Sequence, residues 1–440
     1  MHFERKELSN GIVLNYAHAE RFKTDSLTLY FLLPIEKDTL SAVSLLPEVL
    51  RMGCETNPSA RSMVVRTQEL YDTALVFGQY HVGGVKLLSF SCEFVSDCFL
   101  PPRAREKTDL LTEASLLLED VLYRPLLDDG AFRADYTDIR RRAMIDALRA
   151  RINRKTSYAV HRCKCVMCGE DSEAALLPYG TEDTVAAVTE QSLVKAYEKL
   201  LASARIECFY EGRADMARVE GALSFLVKHH EKDRTLPVLR VCEPPLKKRE
   251  DVLRTSETVA AKQSKLVIGL RYKPLDTPLR ASAFTLLMEI LAYSPISKMF
   301  MRVREAHKLC YSCSAANDPM RGMLFLYAGI DDTAAPRAEK AMMAQVRAIG
   351  RRRVSEEEWH SAKQSVLSAL RSLADTPDSL EMWYLRRHMR GFEGTLDDEI
   401  ARIERVTLDE VAREARALAM DTVFLLRAGE ATKEEGGEDE

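Results

Sequence analysis

Apolar and polar positions in this chain switch period along its length, from the two-residue alternation of strands to the longer repeat of helices, and the switch occurs twice. Residues 26–35, SLTLYFLLPI, form a strongly apolar run that reads as a strand. Residues 12–17, 76–81 and 86–94 also read as extended. Helical stripes then dominate in 40–53, 105–122 and 132–167. A second apolar strand at 264–273, SKLVIGLRYK, leads into a second helix candidate at 277–293. The two rounds close alike: GTEDTVAAVTEQSLVKAYEKLLASARIECFYEG from Gly180 and GTLDDEIARIERVTLDEVAREARALAMDTVFLLRAG from Gly394. In each, a threonine (Thr189, Thr407) is placed to cap an amphipathic helix that runs into a final strand. The chain therefore reads as an internal duplication. Strands come early in each half and long helices late, which predicts an α+β architecture with an antiparallel sheet covered by helices.

Domain boundaries follow from composition. Residues 231–253 contain Pro237, Pro244, Pro245 and a basic run at 247–249, a linker composition. This predicts one domain over 1–230 and a second over 254–428. The remainder, 429–440, is acidic and nearly free of apolar residues, so it is expected to be disordered.

The 440 residues are enough for two cores, and 63 basic against 67 acidic residues give no footprint for nucleic acid. The charged start MHFERKELSN lacks an apolar signal core, and no later run is long enough to span a membrane, so a soluble cytoplasmic protein is expected. Ten cysteines at irregular spacing read as reduced thiols. His161, Cys163, Cys165 and Cys168 form one cluster, in which His161, Cys165 and Cys168 would share a helical face able to hold a metal or simply to pack. Cys310 and Cys313, close after His307, form a second. If 309–315 is a strand, Cys310 and Cys313 point to opposite faces, which argues against chelation.

The most chemically suggestive stretch is 295–317, PISKMFMRVREAHKLCYSCSAAN. It reads as a helix with Met299, Phe300, Val303 and His307 turned inward, breaking into a strand at 309–315. Arg304 and Tyr311 fall at the junction. For both, the alternative to a binding role is ordinary: an ion pair for Arg304 and strand packing for Tyr311.

Small or loop residues, then Met-Phe, Val-Arg-Glu and Leu-x-Tyr, resemble the second half of the insulinase-type metallopeptidases, family M16. That resemblance implies that Arg304 and Tyr311 hold a substrate backbone. It also implies two similar α+β halves arranged as a clamshell. Leu177-Pro178-Tyr179-Gly180 looks like the family's H-P-Y-G loop with its histidine replaced.

Active members carry H-x-x-E-H on a helix, where two histidines grip zinc and the glutamate acts as general base. Helix 41–53, SAVSLLPEVLRMG, occupies the matching place, and alignment on Gly53 sets Ser44, Pro47 and Glu48 at the three motif positions. The family's third ligand falls at Ala147, beside Asp146. None of Ser44, Pro47 and Glu48 can do the job, since Ser44 is a poor zinc ligand, Pro47 has no side-chain base and Glu48 alone cannot complete the site. Leu45, Leu46, Val49 and Leu50 read as the buried stripe of a core helix. No catalytic residue and no metal ligand is expected in this chain.

The resemblance thus implies a zinc-less subunit that binds peptide and pairs with an active, zinc-containing M16 homologue. It looks most like bacterial members associated with modification of translation elongation factor P. The alternative is a structural scaffold derived from the same fold, without peptide binding.

Overall fold

The computed structural model describes residues 2–230, 233–242 and 250–429. Parts of the expected linker (231–232 and 243–249) and residues 430–440 of the expected tail lie outside the described residues. The chain forms two compact units that do not follow chain order. One comprises Met1–Arg149, Leu176–Val241 and Thr376–Arg386; the other comprises Ala150–Ala175, Cys242–Asp375 and Arg387–Glu440.

The first unit is built on a six-stranded sheet in the order Glu4–Ser9, Ile12–His18, Arg205–Gly212, Thr24–Pro34, Val85–Val95, Ala74–Val82. All pairs are antiparallel except Ile12–His18 with Arg205–Gly212. On one face the helices Leu40–Leu50, Leu110–Tyr123 and Glu190–Ser203 bury a core that includes Leu29, Phe31, Leu45, Leu46, Phe90, Leu118 and Leu193. The opposite face is covered by residues 376–386: Phe3 meets Phe209 and Tyr384 edge-on, each at 5.1 Å. Glu381 is fully buried there and accepts hydrogen bonds from the hydroxyls of Ser26 and Tyr30, both at 3.3 Å. Burial drives its carboxyl up to about 8.

The second unit has a five-stranded sheet in the order Ser312–Asp318, Met323–Ile330, Ser264–Arg271, Ala419–Gly429, Leu253–Ala260. Again one pair alone is parallel, Ala419–Gly429 with Leu253–Ala260. If the outermost strand Glu4–Ser9 is set aside, this is the order of the first sheet strand for strand, as the duplicated sequence pattern implies. Leu266, Ile268, Phe284, Leu287 and Val346 form its main core. Helix Lys155–Cys168 packs Ala159, Cys163 and Met167 against Val267, Phe325 and Phe424 on the other face.

Each sheet is thus covered on both faces, and in each case one covering helix comes from a distant part of the sequence. The single helix expected over 132–167 is instead two, Ala134–Arg149 and Lys155–Cys168. The break falls at the tight turn Ala150–Asn153, and Arg154 adopts a non-helical backbone (φ −87°, ψ 69°). The two pieces belong to different units, so the interruption lets one stretch of sequence serve both.

Thr189 and Thr407 do cap their helices, accepting from the amides of Ser192 and Glu410. The described residues contain no helix long and apolar enough to cross a membrane.

Candidate functional site

Helix Leu40–Leu50 carries Ser44, Pro47 and Glu48 in the first unit. It forms despite Pro47, which cannot donate to the Val43 carbonyl, because ten of its eleven residues are buried and packing offsets the lost bond. Ser41 and Ser44 point at the loop 177–180. The Ser41 hydroxyl donates to the Tyr179 carbonyl at 3.0 Å, and the Ser44 hydroxyl donates to the Pro178 carbonyl at 2.8 Å. Gly180 completes the approach: its φ of +85° and the Ser41 hydroxyl beside it leave no room for a Cβ.

A lysine closes this corner. Lys86, only 1% exposed, donates to the same Pro178 carbonyl at 2.8 Å and to the side-chain carbonyl of Gln79. The Gln79 amide in turn donates to the backbone carbonyl of Ser44 at 3.0 Å. Both acceptors of Lys86 are neutral, and desolvation lowers its ammonium to about 7.

Glu48 is likewise matched with cations. Its carboxylate lies 3.6 Å from Arg51 and 3.8 Å from Arg140 of helix Ala134–Arg149. Ala147 and Asp146, on that same helix, are exposed, while Met144 and Leu148 turn to the core. A one-residue shift in alignment therefore does not bring Asp146 into the corner. The donor set does not fit a divalent cation: one hydroxyl engaged with a carbonyl, one carboxylate shared by two guanidinium groups, and a buried ammonium beside them. Among the described residues there is no group of three or more His, Cys, Asp and Glu side chains able to hold a metal.

The cysteine–histidine cluster on helix Lys155–Cys168 separates. Cys165 Sγ is 3.4 Å from His161 Nε2, but Cys168 Sγ turns to Met323 Sδ at 3.5 Å, and Cys163 is buried in the core. Burial and three neighbouring cations (Arg151, Lys164, Arg162) push the His161 imidazole down to about 3, while burial pushes the Cys168 thiol up to about 11. A neutral histidine and protonated thiols are packing groups here.

Arg304 and Tyr311 belong to the second unit and are placed differently from the expectation. Residues Met299–Ala306 form a helical segment with widened, π-type turns, and Met299 and Val303 are buried in the core as expected. His307 is not on the inward stripe. It caps the segment, is exposed, and is followed by Lys308 in the left-handed region (φ 50°).

The Leu309 amide bonds back to the Val303 carbonyl, so the strand starts only at Ser312, three residues later than expected. Tyr311 is left on the connecting turn with 77% of its surface exposed. The Arg304 guanidinium stacks over Phe300 at 4.7 Å and over Tyr311 at 5.8 Å, and its Nε faces Glu305 at 3.4 Å. The late strand start also changes the cysteines: Cys310 lies outside the ladder, and Cys310 and Cys313 both pack against the second unit's core, so the two do not point to opposite faces.

The sequence reading missed Lys86, Gln79 and Arg140. Lys86 was detectable, since it shares parity with the core-facing Leu88, Phe90, Cys92 and Phe94 on one strand. Gln79 and Arg140 carried no comparable signal. A cavity of about 630 Å³ with Arg154, Lys155, Lys262 and Lys265 on its walls also lies in the second unit; its lining does not include Arg304 or Tyr311.

Comparisons with known proteins agree with this geometry. Residues 187–366 match the family described as Peptidase M16 inactive domain. A Bacillus subtilis (strain 168) protein named "Probable inactive metalloprotease YmfF" is 25% identical over 427 residues, covering 97% of this chain and 98% of the relative. A conserved protein of Enterococcus faecalis V583 has the same fold, with a TM-score of 0.89 at 22% identity over 98% of this chain and 100% of that one. A peptidase M16 inactive domain from Pseudomonas fluorescens superposes with a TM-score of 0.76 at 14% identity, over 98% and 100%. Together these findings support an inactive M16-like protein.

Proposed function

We propose that this M16-like chain is a non-catalytic subunit that pairs with an active, zinc-containing M16 homologue and helps bind and enclose a peptide substrate through Arg304 and Tyr311. The observation that carries the proposal is an exposed Tyr311 beside a half-buried Arg304 whose guanidinium is not sunk in a buried ion pair. A structural arginine would be buried against a carboxylate, whereas Arg304 lies on two aromatic rings and faces only its neighbour Glu305. A surface pair of that kind holds the guanidinium by no more than about 1 kcal/mol, so a substrate carbonyl or carboxylate can compete for it.

Strand addition is the mode of capture that suits the fold. Ala74–Val82 and Ser312–Asp318 each end their sheet, and among the described residues nothing pairs with their outer edges. Val76 and Tyr80 on the first of these are exposed. An extended peptide laid there would be read by its backbone, with side-chain pockets adding selectivity. Zinc and the water-activating base come from the partner in this reading. We extend it to a cytoplasmic location and a link to modification of elongation factor P.

The test is peptide cleavage by the chain alone, by the active homologue alone, and by the two co-expressed. Cleavage that requires the pair, and that falls when Arg304→Ala or Tyr311→Phe is introduced, is the expected result. Zinc-dependent cleavage by this chain alone overturns it. A stable pair whose activity ignores both substitutions points instead to a scaffold. Deleting the gene and measuring the modification state of elongation factor P by mass spectrometry tests the pathway.

A further inference from the structure

The turn that presents Tyr311 is bracketed by two thiols in the sequence Cys310-Tyr311-Ser312-Cys313. Its path is fixed at both ends. Lys308 reverses the chain in the left-handed region, and the Tyr311 amide donates to the Gly329 carbonyl at 3.1 Å, opening the ladder in which Cys313 faces Ala328. Cys310, just before the ladder, packs against the same core as Cys313, which brings the two thiols to one side of the sheet three residues apart, and Cys313 beside it lowers the Cys310 thiol. Both are free thiols, half-buried against the second core. The Arg304 guanidinium bears on both sulfurs.

We propose that Cys310 and Cys313 form a reversible oxidation site, closing an intramolecular disulfide around Tyr311 in exchange with a small-molecule disulfide such as oxidised glutathione. The neighbouring Cys313 and the charge of Arg304 favour the thiolate at Cys310. That thiolate attacks one sulfur of the small disulfide, whose other half leaves as a thiolate and takes up the proton released by Cys310. The Cys313 sulfur then attacks Cys310 in the mixed disulfide, and the second small thiol leaves with the proton of Cys313. Two protein thiols are oxidised, and one small disulfide is reduced to two thiols.

Other cysteines lack this arrangement. Cys165 and Cys168 share the C-x-x-C spacing, but Cys165 faces His161, Cys168 faces Met323, and burial raises both thiols. Cys163 and Cys208 are buried and likewise raised, and Cys98 and Cys242 are exposed and lie outside any C-x-x-C. Disulfides of reducing compartments are typically transient and regulatory, which suits a pair at a binding turn. The regulatory consequence rests on the peptide-binding role proposed for Tyr311, because a closed disulfide fixes the backbone on either side of that ring.

The experiment is to equilibrate the full chain in glutathione buffers of rising oxidised fraction, alkylate the remaining thiols and map peptides by mass spectrometry. The expected result is concerted loss of alkylation at Cys310 and Cys313 with an internal bond in one peptide, reversed by dithiothreitol and abolished by Cys310→Ser or Cys313→Ser. Cys98 should take only single glutathione adducts. Persistent alkylation of Cys310 and Cys313 when Cys98 is already modified, or separate adducts on each, overturns the site.

Peptide affinity is then measured on reduced and oxidised protein. A change of about fivefold or more supports control of binding by the bridge. A clean disulfide with unchanged affinity supports the redox site and counts against the role of Tyr311 in binding.

Discussion

Two corners of this protein have parted ways. In the first unit, where the resemblance to M16 enzymes puts the metal, the space is closed by direct hydrogen bonds among Ser44, Pro178, Lys86 and Gln79 and by two arginines on Glu48. In the second unit, Arg304 and Tyr311 stay at the surface, stacked but not locked into a buried ion pair. Loss of a metal site by simple substitution would leave unsatisfied polar groups. Here positive charge stands around the positions that the resemblance assigns to the metal, and the corner is closed by polar contacts of its own. No such filling has reached the Arg–Tyr turn. The difference teaches that one corner of a fold can be filled by direct polar contacts while another keeps its polar side chains open to solvent.

Four experiments break or sharpen that contrast, the largest effect first. Restoring the motif by Ser44→His, Pro47→Glu and Glu48→His together should yield no stoichiometric zinc by elemental analysis, because the Lys86 ammonium and the Arg140 guanidinium remain. Tight zinc binding by the triple variant would show the corner to be merely vacant of ligands. Arg304→Ala should weaken peptide binding by about tenfold, read by fluorescence anisotropy on the assembled pair, with Tyr311→Phe weaker in effect. Ser44→Ala should leave that affinity unchanged while destabilising the chain by about 1 kcal/mol. An equal loss of binding from Ser44→Ala would erase the distinction between the corners.

The third experiment uses pH. Lys86 sits at about 7 in the folded chain against 10.5 for an ordinary lysine, so over that interval the unfolded state binds the extra proton and stability rises with pH. Glu381 behaves oppositely: at about 8 against an ordinary 4.5, it holds its proton only when folded, so its contribution falls as pH rises from 4.5 to 8. Lys86 therefore costs most below about pH 7 and Glu381 most above about pH 8, so their summed cost is greatest between those values. Compared with wild type, Lys86→Met should flatten the denaturation profile on the alkaline side, and Glu381→Gln should flatten it on the acid side, each by a few kcal/mol at most. Parallel profiles for wild type and variants would refute the assignments.

The smallest effect is expected for Arg140→Ala. Its pair with Glu48 is partly exposed, and its loss should cost about 1 kcal/mol or less in chemical denaturation.

The duplicated α+β plan was legible in the chain because buried strands and capped amphipathic helices are written locally. The runs at 26–35 and 264–273 are the central strands of their sheets, and Thr189 and Thr407 cap the helices expected. Less local features were not legible. The helix break at Ala150–Asn153 has no proline or glycine to announce it. The delayed strand at Ser312 depends on one left-handed residue, Lys308, and on a return bond to Val303, and it reverses the inference drawn for the two cysteines. Motif order assigns Ser44, Pro47 and Glu48 to one helix, but the cations Lys86 and Arg140 near them come from a strand and a helix far away in sequence.

What the sequence determined by itself was which side chains are absent: on the alignment drawn from the resemblance, Ser44 and Glu48 stand for the two histidines, Pro47 for the base and Ala147 for the third ligand, and no conformation of these residues rebuilds H-x-x-E-H. The tertiary structure decided what replaced it, because the pKa of Lys86 and the partners of Glu48 depend on desolvation and on distances between segments that the linear pattern does not encode. It also decided that one interrupted helical stretch would divide between two units, since burial of each sheet's second face is a requirement of the assembled sheet and not of any one segment.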